Sequence, residues 1–391
     1  MKGDILKNIS YTNLNEEIEV EYASDSPVKS DEYNKLYRNW RCSESNPFVF
    51  SGKRSSKLYT YVDGVGIHNE NSEKHERSAL KNICKLITTV IYIYALAENV
   101  FVLPFILTLK CFGVEISYSF HDSSVYGDQY AVAATFIFEG IMKFLVPLLF
   151  VRRVLKMPSK VAYPLKVENK WSLFAAVSMM LVALSIAMLI RVYLPTNIFI
   201  VNDVNTIYNI SLGMNNGCTA VLLVFELIAV PIMKELIFHG AIFQAMRQSG
   251  VSFAVLTIAI IATVEMHNPF SAGINFVIFF IAGYCVWNSG SVIGGIIVHI
   301  IGRTLSFSMF YFKELPPVNG IQLELAFVFS VFIIGLAGSL ILIAFKGKTL
   351  KMKDYGTFIP IKEKLKYSLF KTPLILAWIL LGMLMITEIF V

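Results

Sequence analysis

The chain has 391 residues, carries 34 Lys and Arg against 28 Asp and Glu, and is 55% hydrophobic but only 16% charged. Its mean hydropathy is +0.60. A soluble domain carries about 25% charged residues, so a water-soluble enzyme is excluded. The net charge of +6 reads as membrane topology and anionic-lipid contact, not nucleic-acid binding, because the basic residues stand beside apolar blocks.

Residues 1–80 are polar, mixed in charge, and hold no apolar stretch of the kind a secretory signal needs. Their composition cannot bury a core and predicts a poorly structured region. One alternating stretch, Lys57 to Val62 before Asp63-Gly64, reads as a short strand. The cysteines Cys42, Cys84, Cys111, Cys218 and Cys285 form no CxxC pair, so neither a disulfide framework nor a cysteine zinc site is expected.

Nine apolar blocks follow, at 86–109, 129–151, 172–194, 218–246, 251–268, 271–287, 290–312, 322–345 and 372–391. Most approach the ~20 residues that cross a hydrocarbon core of ~30 Å. The expected fold is all-α, a polytopic transmembrane bundle of about 8–9 helices behind a polar, poorly structured N-terminal region. The organisation reads as a cytoplasmic polar region at 1–80, N-terminal transmembrane helices at 86–217, a central unit at 218–312 and C-terminal transmembrane helices at 313–391. The two short blocks joined by Asn268-Pro269 leave room for a re-entrant segment. Basic residues set the orientation. Lys74, Arg77, Lys81 and Lys85 precede the first block, and Arg152, Arg153, Lys156, Lys160, Lys166 and Lys170 follow the second. The segment 346–371 holds eight Lys and no Arg, whereas 195–217 has neither. The N-terminus is therefore expected in the cytoplasm and the C-terminus outside. Abundant Lys, Asn and Ile suggest a bacterial chain, hence a multi-pass protein of the cell membrane.

Several charges lie inside the apolar blocks: Glu98, Glu139, Lys143, Arg191, Glu226, Lys234, Glu235, Glu265, Arg303, Glu324 and Glu388. Each costs about 2.5–3.5 kcal/mol at the bilayer centre on insertion scales, so each is expected to face the bundle interior, a wet cavity or the interface. Glu139 and Lys143 stand four apart in the order that favours a helical ion pair. Arg191 and Glu388 lie near block ends, where they are expected to snorkel. A denser cluster runs from 226 to 303, with His239, His267 and His299 on successive blocks beside Lys234, Glu235, Glu265 and Arg303. Glu235 and His239 share a helix face, as do His299 and Arg303. Such a set suits either a polar relay or a hydrolytic site, in which a buried carboxylate serves as base and an imidazole steadies an oxyanion.

The run Val230-Pro-Ile-Met-Lys-Glu-Leu-Ile-Phe-His-Gly240 resembles the first motif, EExxxR, of the CPBP family of CAAX proteases and bacteriocin-processing intramembrane proteases. Thr263-Val-Glu-Met-His267 resembles the second, FxxxH. The run from Gly283-Tyr284 through Asn288-Ser-Gly-Ser291 to His299 resembles the third region, which ends in HxxxN. All three occur in order over about 218–305, and the resemblance makes 218–312 a CPBP-like core. It implies a membrane bundle whose reactive groups face a cavity among four helices. It also implies glutamic endopeptidase chemistry on peptide, prenylated or bacteriocin-type substrates, without a cofactor. A zinc ion on three His and a Glu is an alternative that the resemblance does not favour. Glu235, His267 and His299 are the residues it aligns with catalysis.

The sequence departs from the motifs. Lys234 stands where the family has its first Glu, His239 replaces the motif Arg, Thr263 the Phe, and Arg303 the final Asn. A protonated Lys cannot act as base, and Arg303 brings a fixed charge where the family has a neutral amide. Glu235 is expected to pair with His239, in place of the Glu–Arg pair. Lys234 and Arg303 around one cavity would need an acid between them, with Glu226 and Glu265 as candidates. Two functions follow: an intramembrane endopeptidase with an altered site, or a proteolytically inactive relative acting as a membrane scaffold, regulator or bacteriocin self-immunity protein. The expected partners are the lipid bilayer and a membrane-embedded or surface peptide or protein, with no nucleic acid.

Overall fold

The structure is a computed structural model that describes residues 28, 30–41, 43, 46–50, 60–62, 66–68, 71–119, 124–193, 214–263, 269–313, 317–346, 359–369 and 375. The described residues of the polar N-terminal region include a helix, α1 (Asp31–Arg41), that average composition did not suggest. Its signal is local. Tyr33, Tyr37 and Trp40 recur at helical spacing, with Asp31 and Glu32 in the first turn and Arg38 and Arg41 in the last, so the helix has one aromatic face and end charges that suit its dipole. The strand expected near Val62 is β1 (Thr60–Val62), which pairs antiparallel with β2 (Gly66–His68). Residues 57–59 lie outside the described residues.

The first apolar block becomes α2 (Asn71–Val100) and α3 (Val102–Cys111). A hairpin of β3 (Ile116–Ser119) and β4 (Ser124–Gly127) then leads into α4 (Gln129–Leu155). Asp128 caps α4, its carboxylate accepting from the backbone N–H of Tyr130 and Ala131 at 3.0 and 3.1 Å. A short α5 (Ser159–Ala162) precedes α6 (Lys170–Tyr193).

The fourth block is a rod of changing pitch. It starts at the Asn215 cap, whose side chain accepts from Cys218 N at 2.9 Å. It runs as α7 (Asn216–Val224), a π-helical turn (Phe225–Ala229), α8 (Val230–Glu235), a second π-helical turn (Leu236–Ile242), α9 (Phe243–Met246) and a 3₁₀ turn (Arg247–Ser249). Pro231 lacks the N–H that a regular helix would use, and Gly240 has non-helical torsions (φ −77°, ψ −107°). The remaining helices are α10 (Val251–Thr263), α11 (Pro269–Ser289), α12 (Val292–Lys313), α13 (Pro317–Lys346) and α14 (Ile361–Leu369).

Eight of the nine expected apolar blocks are thus helical over most of their described residues; the ninth, 372–391, lies outside the described residues apart from position 375. Among the described residues, five helical stretches are long and apolar enough to cross a membrane: Lys74–Cys111, Gln129–Leu155, Lys170–Val192, Phe270–Ser289 and Gly320–Lys346. Val251–Thr263 and Val292–Ser308 are shorter apolar helices. Their outward faces are apolar, as in Ile333, Ile343 and Phe345 of α13, which suits lipid and not water. The chain is a multi-pass helical membrane protein.

Two interhelical devices set the packing. Gly335 and Gly338 of α13 leave no room for a Cβ against Ser178 and Leu181 of α6, so the two backbones approach closely. On the same pair, Arg191 and Glu324 form a buried ion pair at 2.7 Å, with 7% and 9% of their side chains exposed. Arg191 therefore does not snorkel. Its reach to the end of α6 matters less than the acid that α13 brings beside it, because an unpaired charge would lose its hydration.

One end of the bundle is tied by polar contacts. Val292 N donates to Pro164 O and Glu168 N to Ser289 O, both at 2.8 Å, so the linker before α6 holds the turn between α11 and α12. Gly290 has φ +72° in that turn, a conformation that favours glycine.

Candidate functional site: a carboxylate held by two imidazoles

Glu235 is the last residue of α8, placed where the regular helix gives way to the second π-helical turn. Such turns change the direction of side chains along a helix and recur at functional positions. One carboxylate oxygen lies 2.7 Å from Nδ1 of His239, one turn ahead on the same rod. The other lies 2.7 Å from Nδ1 of His299 on α12. All three side chains are 0% exposed. A carboxylate that faces two imidazoles can only accept when ionised, so each Nδ1 carries the proton and donates. The expected Glu235–His239 pair is present, and His299 joins it from a neighbouring helix.

Two glycines make room for the cluster. A Cβ on Gly295 of α12 would lie 2.5 Å from Oε2 of Glu235 and 2.5 Å from Cγ2 of Val286. A Cβ on Gly283 of α11 would lie 2.9 Å from Nε2 of His239. Phe279 packs against both imidazoles, with ring centres 5.6 Å from His239 and 4.8 Å from His299. The three residues form the close packing around the site and were not singled out in the sequence for that role. The signal for Gly295 was its place four residues before His299, on the same helix face.

The Nε2 atoms of His239 and His299 are buried and have no hydrogen-bond partner among the described residues. In the neutral ring with Nδ1 protonated, Nε2 presents a lone pair. Among the described residues there is no group of three or more His, Cys, Asp or Glu arranged to hold a metal ion.

The substituted positions flank this core. Lys234 is 2% exposed, and its ammonium lies 5.5 Å from the ring centre of Phe144 on α4. Arg303, one turn beyond His299, forms an ion pair with Glu226 of the first π-helical turn. Glu226, one of the two acids expected near these cations, is thus a partner of Arg303. Nearby, the Lys143 ammonium sits 4.5 Å from the ring centre of Tyr94. Glu265 and His267, aligned with the second motif, lie outside the described residues.

The kink after the site has a visible cause. A Cβ on Gly240 would come within 2.8 Å of Tyr163 Cε1 and 3.2 Å of Ala162 O, so the rod bends where α5 presses on it. Burial pushes the Tyr163 phenol up from its ordinary value, against the opposite influence of Arg152.

Residues 216–305 match a family model described as Type II CAAX prenyl endopeptidase Rce1-like. No curated protein and no solved structure matches the chain. The matched segment begins at the first residue of the rod and ends two residues past Arg303, so it encloses Lys234, Glu235, His239, His299 and Arg303. In this multi-pass membrane protein, the segment that carries the buried carboxylate cluster is thus similar to the Rce1-like type II CAAX prenyl endopeptidases.

Proposed function

We propose that this chain is a proteolytically inactive CPBP-type protein of the cell membrane, N-terminus in the cytoplasm, that acts by binding a membrane-embedded or surface peptide or protein. One observation carries the reading: both oxygens of Glu235 are held by imidazoles in a fully buried cluster. A general base must reach the water it activates. Each Glu235 oxygen is already engaged by an imidazole, and Gly295 lies so close to Oε2 that even a Cβ would not fit there. The position that would bear the family's first Glu is Lys234, packed against Phe144. Where the family has a neutral amide to donate to an oxyanion, Arg303 is engaged by Glu226. Scaffold, regulator and bacteriocin self-immunity roles are all forms of this binding function.

The alternative is an altered endopeptidase. It draws on the Nε2 atoms of His239 and His299, which have no hydrogen-bond partner among the described residues and in the neutral ring can orient a water. A reversion test separates the two. Wild type and a Lys234→Glu/Arg303→Asn variant are purified in detergent and incubated with a membrane-peptide library. The binding reading expects no cleavage by the wild type. Cleavage by the wild type that disappears in His299→Ala, with the fold retained, would overturn it. Cleavage by the double variant alone would support a core that kept its frame and lost its chemistry.

A further inference from the structure

The rod ends in an unusually polar stretch, Gln244-Ala-Met-Arg-Gln-Ser249, at the basic end of the bundle. At a membrane surface such residues normally face water. Here Gln244, Arg247, Gln248 and Ser249 are all buried, at 2%, 9%, 6% and 0% exposure. Segments from opposite ends of the chain cover them.

The two covers differ in kind. On one side α14 is fixed. Lys364 is 1% exposed and pairs with Glu76 of α2 at 3.2 Å, while also donating to Ser249 O. Parting that contact would strand a buried charge, which is strongly unfavourable. On the other side lies α1, with one face inward. The Tyr33 hydroxyl donates to Gln244 Oε1 at 3.0 Å, the Tyr37 hydroxyl to Gln244 O at 3.3 Å, and the Trp40 indole N–H to Leu155 O at 3.0 Å. The Arg247 guanidinium stacks 4.0 Å from the Tyr37 ring centre and 5.6 Å from those of Tyr33 and Trp287. On the outer flank of α1, Lys160 and Glu32 form an exposed pair at 2.7 Å, which contributes little. Tyr33, Tyr37, Trp40, Gln244 and Arg247 are amphipathic or polar, so each can be hydrated when the helix leaves, while Val28 and Leu36 add aliphatic contact with the core. The contact is more polar than the packing of α10, whose Phe253, Val255 and Ile258 are fully buried, and a more polar contact parts more readily.

We propose that α1 is a releasable latch over the inner end of the motif-bearing rod, and that its release uncovers Gln244, Arg247 and Gln248 while the transmembrane bundle and α14 stay in place. This inference stands apart from the reading of the carboxylate cluster and holds whether or not the chain hydrolyses peptides.

The test is amide hydrogen exchange on the full chain in lipid nanodiscs. In the wild type, the amides of α1 are expected to be protected relative to an unstructured peptide yet to exchange at least tenfold faster than those of α10, which open only with the bundle. Arg247→Ala removes the cation from the aromatic box and is expected to speed α1 exchange by roughly tenfold or more, with α10 protection unchanged. A Tyr33→Phe/Tyr37→Phe variant, which keeps the rings and deletes the hydroxyl donors, is expected to give a smaller change in the same direction. It serves if Arg247→Ala does not fold. Equal protection of α1 and α10 in the wild type would make α1 part of the core and overturn the latch. So would a substitution that lowers both together, or an α1 with no protection at all.

Discussion

Replacing Glu235 by Ala tests whether the carboxylate is a structural tie. The magnitude follows from separating its two bonds. The bond to His239 is made within one rod, four residues along, so it can persist when the helices part and contributes little to tertiary stability. The bond to His299 joins the rod to α12 and is lost on separation. Hydrogen bonds between helices in bilayers average only about 0.6 kcal/mol and reach about 1.7 kcal/mol. Bonds to charged groups in water-excluded protein contribute about 1.5–3 kcal/mol, and a buried donor left without an acceptor costs about 1–3 kcal/mol. The second pair of values applies here, because both partners are 0% exposed and Ala would leave the His299 Nδ1–H orphaned. The expected loss is about 2–4 kcal/mol in equilibrium unfolding by SDS in mixed micelles, followed by circular dichroism. Glu235→Gln is the discriminating control. Its amide oxygen accepts from one Nδ1–H, and its NH₂ donates to the other imidazole once that ring changes tautomer. Gln is therefore expected to cost about 1 kcal/mol or less. If Glu235→Ala unfolds within about 0.5 kcal/mol of the wild type, the range of an ordinary surface substitution, the carboxylate ties nothing and the reasoning fails.

Three further outcomes are expected. Gly295→Ala places a methyl 2.5 Å from Glu235 Oε2 and 2.5 Å from Val286 Cγ2; overpacking of this kind costs about 1–3 kcal/mol, and no change in the same unfolding assay would show that the helices separate freely there. Glu324→Leu strands Arg191 in a buried contact and is expected to cost about 3–5 kcal/mol, whereas Arg191→Leu/Glu324→Leu recovers most of it; a double variant as unstable as the single would refute a paired charge. Lys364→Met leaves Glu76 buried without its ammonium, with a similar loss of about 3–5 kcal/mol expected, and unchanged thermal stability would contradict a fixed α14.

Much of the architecture was legible because a bilayer constrains it severely. Apolar blocks must be helices, since lipid offers no partner to an open backbone, and eight of the expected blocks are helical. The pairing of Glu235 with His239 was also readable, because four residues of helix fix their spacing. What sequence spacing could not give was any relation between helices. His299 reaches the same carboxylate from 64 residues away, Glu324 meets Arg191 across 133, and Tyr33 meets Gln244 across 211. Arg191 shows the consequence. Its position near a block end pointed to the interface, and only the neighbouring α13 turned it into a buried pair. The same holds for the glycines. Gly283 and Gly295 are small on the page, but their smallness acquires meaning only when His239 and Glu235 arrive against them. The sequence by itself determined which segments are helical and which local faces they carry, because those depend on solvent and on periodicity. Only the tertiary structure decided which charges are partnered, which polar end is covered by α1, and that the Glu235 carboxylate is held on both sides, because those depend on how separate helices meet.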